Sequence, residues 1–408
     1  MSLLEVIIKA SSTAPTHPDP DSNYPIVFNP DPILLKLKPE TDELKEENPI
    51  KRVTGWEISQ TDAEMIETGQ RFFKKLKRKL KNTNTFSKDE FLGMFTSYLE
   101  KVGEKVGISV GVDKSDEGYP LKLVDRLGFF MGRDVKSLIL EACVTLEVWD
   151  TLKSLIINGN VEHLCISNLV HNLIEKRRSD LVVLCVKHLS DLQTYDLMCI
   201  LKYFLLPPRD GYESLVSVRK EWENQALLAI EKVGDRGLGG KQNSLAREAS
   251  FLLMVAHDEF TVSELCLHYL LASLDLDEVI FSACVSKLNG EEMMALINYL
   301  GKWLRKYEKF PQVAPCPKAS SMLGLKACEW VPTFESVVKC LGLVVDKHFS
   351  SLVLHSEFHD ELRSLEEVVS SLVAEARLCG TLTNLTERLR GEHQGMPAAV
   401  MLQNVSDS

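Results

Sequence analysis

No two of the ten cysteines stand as C-x-x-C; they are scattered at 143, 165, 185, 199, 266, 284, 316, 328, 340 and 379. That spacing speaks against a zinc site or a disulfide framework and for buried, reduced thiols in a cytosolic or nuclear protein. No run of eighteen uncharged apolar residues is present, and the short Leu3–Ile8 stretch has neither a basic flank nor a small-residue cleavage site. A soluble, non-secreted chain with no membrane contact is therefore expected. A basic excess is missing too: 58 acidic residues outnumber 47 basic ones. This argues against a protein that coats nucleic acid over its whole surface, and any such contact should be local.

What is present is helical periodicity. At 408 residues and 45% hydrophobic content the chain can build a large core in two or three domains. From Val135 to Leu206 apolar residues recur every three or four positions. Val135, Leu138, Ala142, Leu146, Trp149, Leu152 and Ile156 predict one helix, stopped at Asn158-Gly159-Asn160. Ile166 to Ile174 predicts a second, closing at Lys176-Arg177-Arg178. Ser179 and Thr194 cap a third and a fourth, the last ended by Pro207-Pro208. Short turns make such helices antiparallel neighbours. Further amphipathic segments cover Tyr212–Val233, Ser244–His257, Thr261–Leu274, Asp275–Leu288 and Gly290–Phe310, the last opened by an Asn289-x-x-Glu292 cap. Helix pairs of roughly 35–45 residues without sequence repetition predict an all-α, irregular α-solenoid-like array.

The flanks differ in composition. Residues 1–58 are rich in proline and aspartate, with an acidic run at Glu40–Glu47, and read as a flexible, disordered arm with an extended piece at Ile26–Phe28. A helical pair over 59–103 follows, opened by capping boxes at Thr61–Glu64 and Ser87–Glu90, with Ile66, Gly69, Phe73, Leu76 and Leu80 as the inner face of its first helix. Linkers are expected at 104–120 and 311–331, on either side of the array at 121–310. A C-terminal helical unit at 332–392 precedes a disordered tail at 393–408.

Three motifs are weak. Gly107-Ile108-Ser109-Val110-Gly111 has the letters of a nucleophile elbow, but no strand precedes it. Gly239-Gly240-Lys241 lacks the first glycine, the hydroxyl and the strand of a phosphate loop. His355 and His359 share helical spacing without the rest of a zinc motif, and no catalytic, cofactor or metal residue is assigned. The strongest polar signal is Arg71, Lys74, Lys75, Lys77, Arg78, Lys79 and Lys81. Acids open this helix and bases close it, as the macrodipole favours, so a solvated face competes with nuclear or nucleolar targeting and RNA phosphate contact. In the last helix Phe358, Leu362, Leu365, Val369, Leu372, Ala376 and Cys379 follow the 4-3 spacing of a docking seam. Its nearest partner would be Thr333–Val345. At Gly380 the row slips to Leu382, Leu385 and Leu389, which should overwind the seam or interrupt the helix.

Val331-Pro332-Thr333-Phe334, the helix ending Asp346-Lys347-His348-Phe349, the run Leu352-Val353-Leu354 and the leucine-spaced helix after it resemble the C-terminal region of the nucleolar protein 11 family, subunits of the small-subunit processome. Trp149–Leu206 is similar to the helical portion of the same family. The resemblance implies a nucleolar, non-enzymatic scaffold in pre-rRNA transcription and 18S rRNA processing. Its partners would be other small-subunit processome proteins, with an indirect or weak pre-rRNA contact and no small-molecule substrate or cofactor. The family's N-terminal β-propeller has no counterpart in residues 1–130. A helical adaptor in a cytosolic or vesicle-traffic complex is the competing reading.

Overall fold

The computed structural model describes residues 26–28, 50–52 and 59–395, less short breaks at 83–84, 110, 112–115, 117, 209–210, 236, 238, 274–276 and 314. Strand β1 (Ile26–Phe28) pairs antiparallel with β2 (Ile50–Arg52), Ile26 facing Arg52. The rest of the expected arm, and the tail beyond 395, lie outside the described residues. The remaining described residues build an all-α array.

Its first half is a two-layer stack. Helices α1 (Gln60–Leu80), α4 (Arg133–Thr145), α6 (His163–Glu175) and α8 (Thr194–Leu205) pack in succession to form one layer. The other layer holds α2 (Lys88–Val106), α3 (Tyr119–Leu127), α5 (Trp149–Ile157), α7 (Ser179–His188) and α9 (Tyr212–Gly234). Three chain-consecutive pairs also pack across the layers: α1 on α2, α4 on α5 and α6 on α7. This is solenoid geometry, in which a helix meets its neighbour and its next-but-one.

The single helix expected over Val135–Ile156 is two. Glu147 adopts φ 54°, in the left-handed region, and Val148 N–H reaches back to the Cys143 carbonyl at 2.8 Å. Arg177 repeats the turn at φ 55°, with Arg178 N–H on the Leu173 carbonyl at 2.9 Å. These are Schellman closures, usually given to glycine, and here a glutamate and an arginine hide them from sequence inspection. The turns stand thirty residues apart, as do the starts of α4 and α6 (Arg133, His163) and of α5 and α7 (Trp149, Ser179). Ile139 and Leu169, Leu140 and Val170, Cys143 and Leu173, Leu152 and Val182, Leu155 and Cys185 are equivalent buried pairs. The structure thus contains a repeat of apolar character, shorter than the expected pair length. The next equivalent of the turn is Pro207, whose fixed negative φ excludes a left-handed closure. There the register ends.

Beyond it the packing changes. Helix α9 and α10 (Gly240–His257) form a long hairpin, and α11 (Val262–Ala272) packs on α7, α8 and α9. Helix α12 (Glu278–Val285) packs on α8, and α13 (Gly290–Lys309), opened by the expected Asn289–Glu292 capping box, also meets α8. The centre is aromatic: Phe260 stands 4.6 Å from His268 and 4.9 Å from Trp303, ring to ring, with Trp222 and Tyr299 around them.

The linkers expected at 104–120 and 311–331 do not separate domains. Helix α2 runs to Val106 and α3 starts at Tyr119. Residues 317–330 form α14 (Pro317–Leu323) and a 3-10 turn (Lys326–Trp330), whose Ala319, Leu323, Ala327 and Cys328 are buried, with α14 packed on α10. The three prolines shape that segment instead of loosening it. One apolar core runs from Phe72 to Val368. Helix α15 (Phe334–Leu354), capped by Thr333, extends past its expected end at Val345 and kinks at His348, whose Nε2–H donates to the Val285 carbonyl at 2.8 Å. Helix α16 (His359–Gly395) ends the described chain without a break at Gly380.

Candidate functional site

Helix α1 carries the basic segment. Its cap is Ser59, whose hydroxyl accepts from Asp62 N–H at 3.1 Å, two residues earlier than the expected box at Thr61. Gly69, Phe72 and Leu76 form the buried stripe, and Phe72 stacks on Tyr98 with ring centres 4.4 Å apart. This corrects the expected inner face by one residue: Phe73 is half-buried and Ile66 exposed, because Phe72 is the ring that packs on Phe95 and Tyr98 of α2.

The seven cations do not form one set. At 3.6 residues per turn, Arg71, Lys74, Lys75, Arg78 and Lys81 fall on the face opposite the buried stripe, and all five are exposed. Lys79 turns aside to Glu90 at 2.8 Å, and Lys77 lies 5.5 Å from the centre of the Phe73 ring. Arg71 is paired with Glu67 one turn back. Among the described residues, Lys74, Lys75, Arg78 and Lys81 have no ion pair, so their charge faces solvent.

Beside this face lies a groove of about 680 Å³ between α1, α2 and the chain entering α4. Lys74, Gln70 and Phe73 line it from α1, and Phe130 and Arg133 from the opposite wall. Asp62 and Asp134, in the first turns of α1 and α4, line it as well. Phe130 holds the ring of Phe129 edge-on at 5.7 Å, and Phe129 is 80% exposed. Nothing in the sequence signals Phe129 or Arg133 as neighbours of the basic segment, since about fifty residues and two helices intervene.

The α16 seam divides in two. Phe358, Leu365 and Val368 are buried and Leu362 and Leu372 half-buried, so the row follows straight-helix spacing with Val368 in place of Val369. Its partner is α13, not Thr333–Val345. Gly301 makes this approach possible: a Cβ there would meet Leu365 Cδ2 at 2.9 Å and Glu361 Oε1 at 3.0 Å. Arg305 then bridges the helices, donating to Glu361 at 2.6 Å and to Ser364 at 3.1 Å. Ala376 and Cys379, expected on the seam, are exposed, as is every residue from Val373 to Glu387. Leu378, Leu382 and Leu385 form a solvent-facing row, and Phe349, Val353 and Leu354 at the end of α15 are also exposed. The side chain of Leu389 lies outside the described part.

The weak motifs dissolve. Gly107 is the left-handed cap of α2, and Gly239 is the N-cap of α10. His355 donates Nδ1–H to the Ser351 carbonyl and His359 donates Nε2–H to that of Val353, so one nitrogen of each ring is committed to backbone. No cluster of three metal-ligating side chains occurs among the described residues. The chain matches no protein-family model, no curated protein and no solved structure.

Proposed function

We propose that this chain is a non-enzymatic nucleolar scaffold of the small-subunit processome, acting in pre-rRNA transcription and 18S rRNA processing through contacts with other processome subunits. Its place in that assembly rests on the resemblance at Val331–Leu354 and in the leucine-spaced helix that follows. The observation that carries the scaffold reading is the second half of α16: a helical arm that leaves the packed body at Val373 and presents Leu378, Leu382 and Leu385 to solvent. Exposed leucines at 4-3 spacing are the form in which one helix receives another. The same motif region exposes Phe349, Val353 and Leu354. The cationic face of α1 serves nucleolar retention.

The test is purification and imaging of the tagged full chain. Nucleolar signal and recovery of processome subunits are expected. Leu378→Asp, Leu382→Asp and Leu385→Asp together should abolish recovery while leaving the melting temperature in place. A diffuse cytosolic signal, with the same partners recovered from wild type and variant, overturns the reading.

A further inference from the structure

Of the seven cations in the basic segment, the fold leaves four on one face of α1 without an ion pair among the described residues, and one of them, Lys74, lines the groove that also holds Phe130, on whose ring the exposed Phe129 packs. Lys74, Lys75, Arg78 and Lys81 recur at helical spacings that keep them on one side, over a rise of roughly 10 Å. Side chains three and four apart on a helix stand about 5–6 Å from each other. That is a comb of positive charge with a pitch suited to successive phosphates of one strand.

The groove adds a second feature. Phe129 is the most exposed large hydrophobic side chain of the described residues, and its ring stands at 79° to that of Phe130 while remaining 80% exposed. A soluble fold buries such a ring where it can, because each aromatic contributes strongly to the core. Phe130 lines the same groove as Lys74, and Arg133 completes the far wall. A cationic row that tracks a backbone, beside an aromatic platform, is how unpaired bases are held without sequence preference.

We propose that the exposed face of α1 and this groove bind single-stranded nucleic acid, with Lys74, Lys75, Arg78 and Lys81 on the phosphates and Phe129 stacked on an unpaired base. The inference deepens the reading of α1 as the retention element and rests on it for its cellular setting, while its chemistry stands on the geometry alone. The acids around it set a polarity. Glu67 neutralises Arg71, and Asp62, in the first turn of α1, and Asp134 repel phosphate from the groove they line. The strand therefore lies toward the Lys81 end, and Phe129 takes the base at its margin. A duplex satisfies the cations but leaves Phe129 without a partner, since its bases are already stacked.

The experiment is fluorescence anisotropy with the full chain and a labelled oligouridine of about ten nucleotides. Four phosphate contacts on a single strand predict a log–log salt slope of about −3, so a fourfold rise in salt weakens binding roughly fiftyfold. Lys74→Gln, Lys75→Gln, Arg78→Gln and Lys81→Gln together should remove most of the slope and lower affinity at low salt on the order of a hundredfold. Phe129→Ala should weaken binding about tenfold and leave the slope unchanged, the signature of lost stacking. Unaltered melting temperatures certify the fold of both variants. Oligothymidine binding as tightly as oligouridine assigns the site to single strands of either sugar, and weaker binding assigns it to RNA; both support the proposal. It is overturned if oligouridine does not bind at low salt, or if duplex binds as well as single strand and Phe129→Ala changes nothing. It is overturned as well if an acidic peptide such as Glu40–Glu47 binds more tightly than oligouridine and displaces it. A quadruple variant that loses oligouridine but keeps its nucleolar signal leaves the inference standing and removes α1 from retention.

Discussion

Residues 133–188 and residues 212–310 solve the same packing problem in different ways. The first region stacks short helices in a thirty-residue register, and its interior is aliphatic, with Ile139, Leu152, Leu169, Val182 and Cys185 filling equivalent places. Helices of matching length and matching turns put equivalent side chains in equivalent places, and medium-sized ones fill them. The second region has helices of unequal length, from the eight residues of α12 to the twenty-three of α9. Their core is aromatic, with Trp222, Phe260, Tyr269, Tyr299 and Trp303 buried between them. The change falls at Pro207, where the left-handed turn that sustains the register is stereochemically closed. Regularity here is a property of the turns, and core composition follows from it.

If so, single residues should matter more in the second region. Trp303 is fully buried against Phe260, His268 and Tyr307. Trp303→Ala should cost about 3–5 kcal/mol, against about 2–3 for Leu152→Ala in the regular stack, measured by urea unfolding. Equal costs would break the comparison. The next largest effect is on α16, where it docks on α13: Leu365→Asp buries an unpaired charge and should cost on the order of 3 kcal/mol. Leu382→Asp, on the projecting half, should stay within about 0.5 kcal/mol.

Helix periodicity made the all-α array, the Asn289 cap and the Ser87 cap legible in the sequence, because spacing and capping are local. Three things were not legible, each for a physical reason. The turn at Glu147 preserves apolar spacing across it, so α4 and α5 read as one helix. The α16 partner depends on Gly301, an absence of side chain, which periodicity does not register. The candidate site was half visible: seven cations stood out, but only the fold shows Lys77 and Lys79 turned aside and Phe130, with Phe129 packed on it, brought to the groove that Lys74 lines.

A pH dependence sharpens the contrast further, since among the described residues His268 is the one histidine that is fully buried. This ring is wholly buried; Nε2–H donates to the Ala256 carbonyl at 2.9 Å, and Nδ1 accepts from the Tyr299 hydroxyl at 2.8 Å. Burial, first of all, lowers its pKa from the ordinary 6.5 to about 3. The unfolded chain therefore takes up a proton before the folded one, and the stability present above pH 6.5 is lost as pH falls toward 3. The slope from this group is about 1.4 kcal/mol per pH unit within that window. Burial lowers His188 and His257 as well, in the same sense. His268→Gln should be less stable at neutral pH but lose less on acidification, so the two unfolding curves converge. Parallel curves would show that His268 does not titrate across unfolding.

A smaller stabilisation tests the turns themselves. Glu147 holds a backbone conformation that costs a side-chain-bearing residue about 1–2 kcal/mol and glycine nothing. Its carboxylate gives back little, since the 3.1 Å pair with Lys176 is exposed on both sides. Glycine in the unfolded chain has more freedom to lose, which offsets part of the gain. Glu147→Gly should therefore stabilise the protein by about 0.5–1 kcal/mol, and Glu147→Ala, which keeps the strain and loses the pair, should be neutral or slightly destabilising. Gly159, at φ 65° in the turn after α5, predicts the reverse: Gly159→Ala should cost about 1 kcal/mol. Were Glu147→Gly to destabilise instead, the ion pair between successive turns, and not the backbone closure, would be what maintains the register.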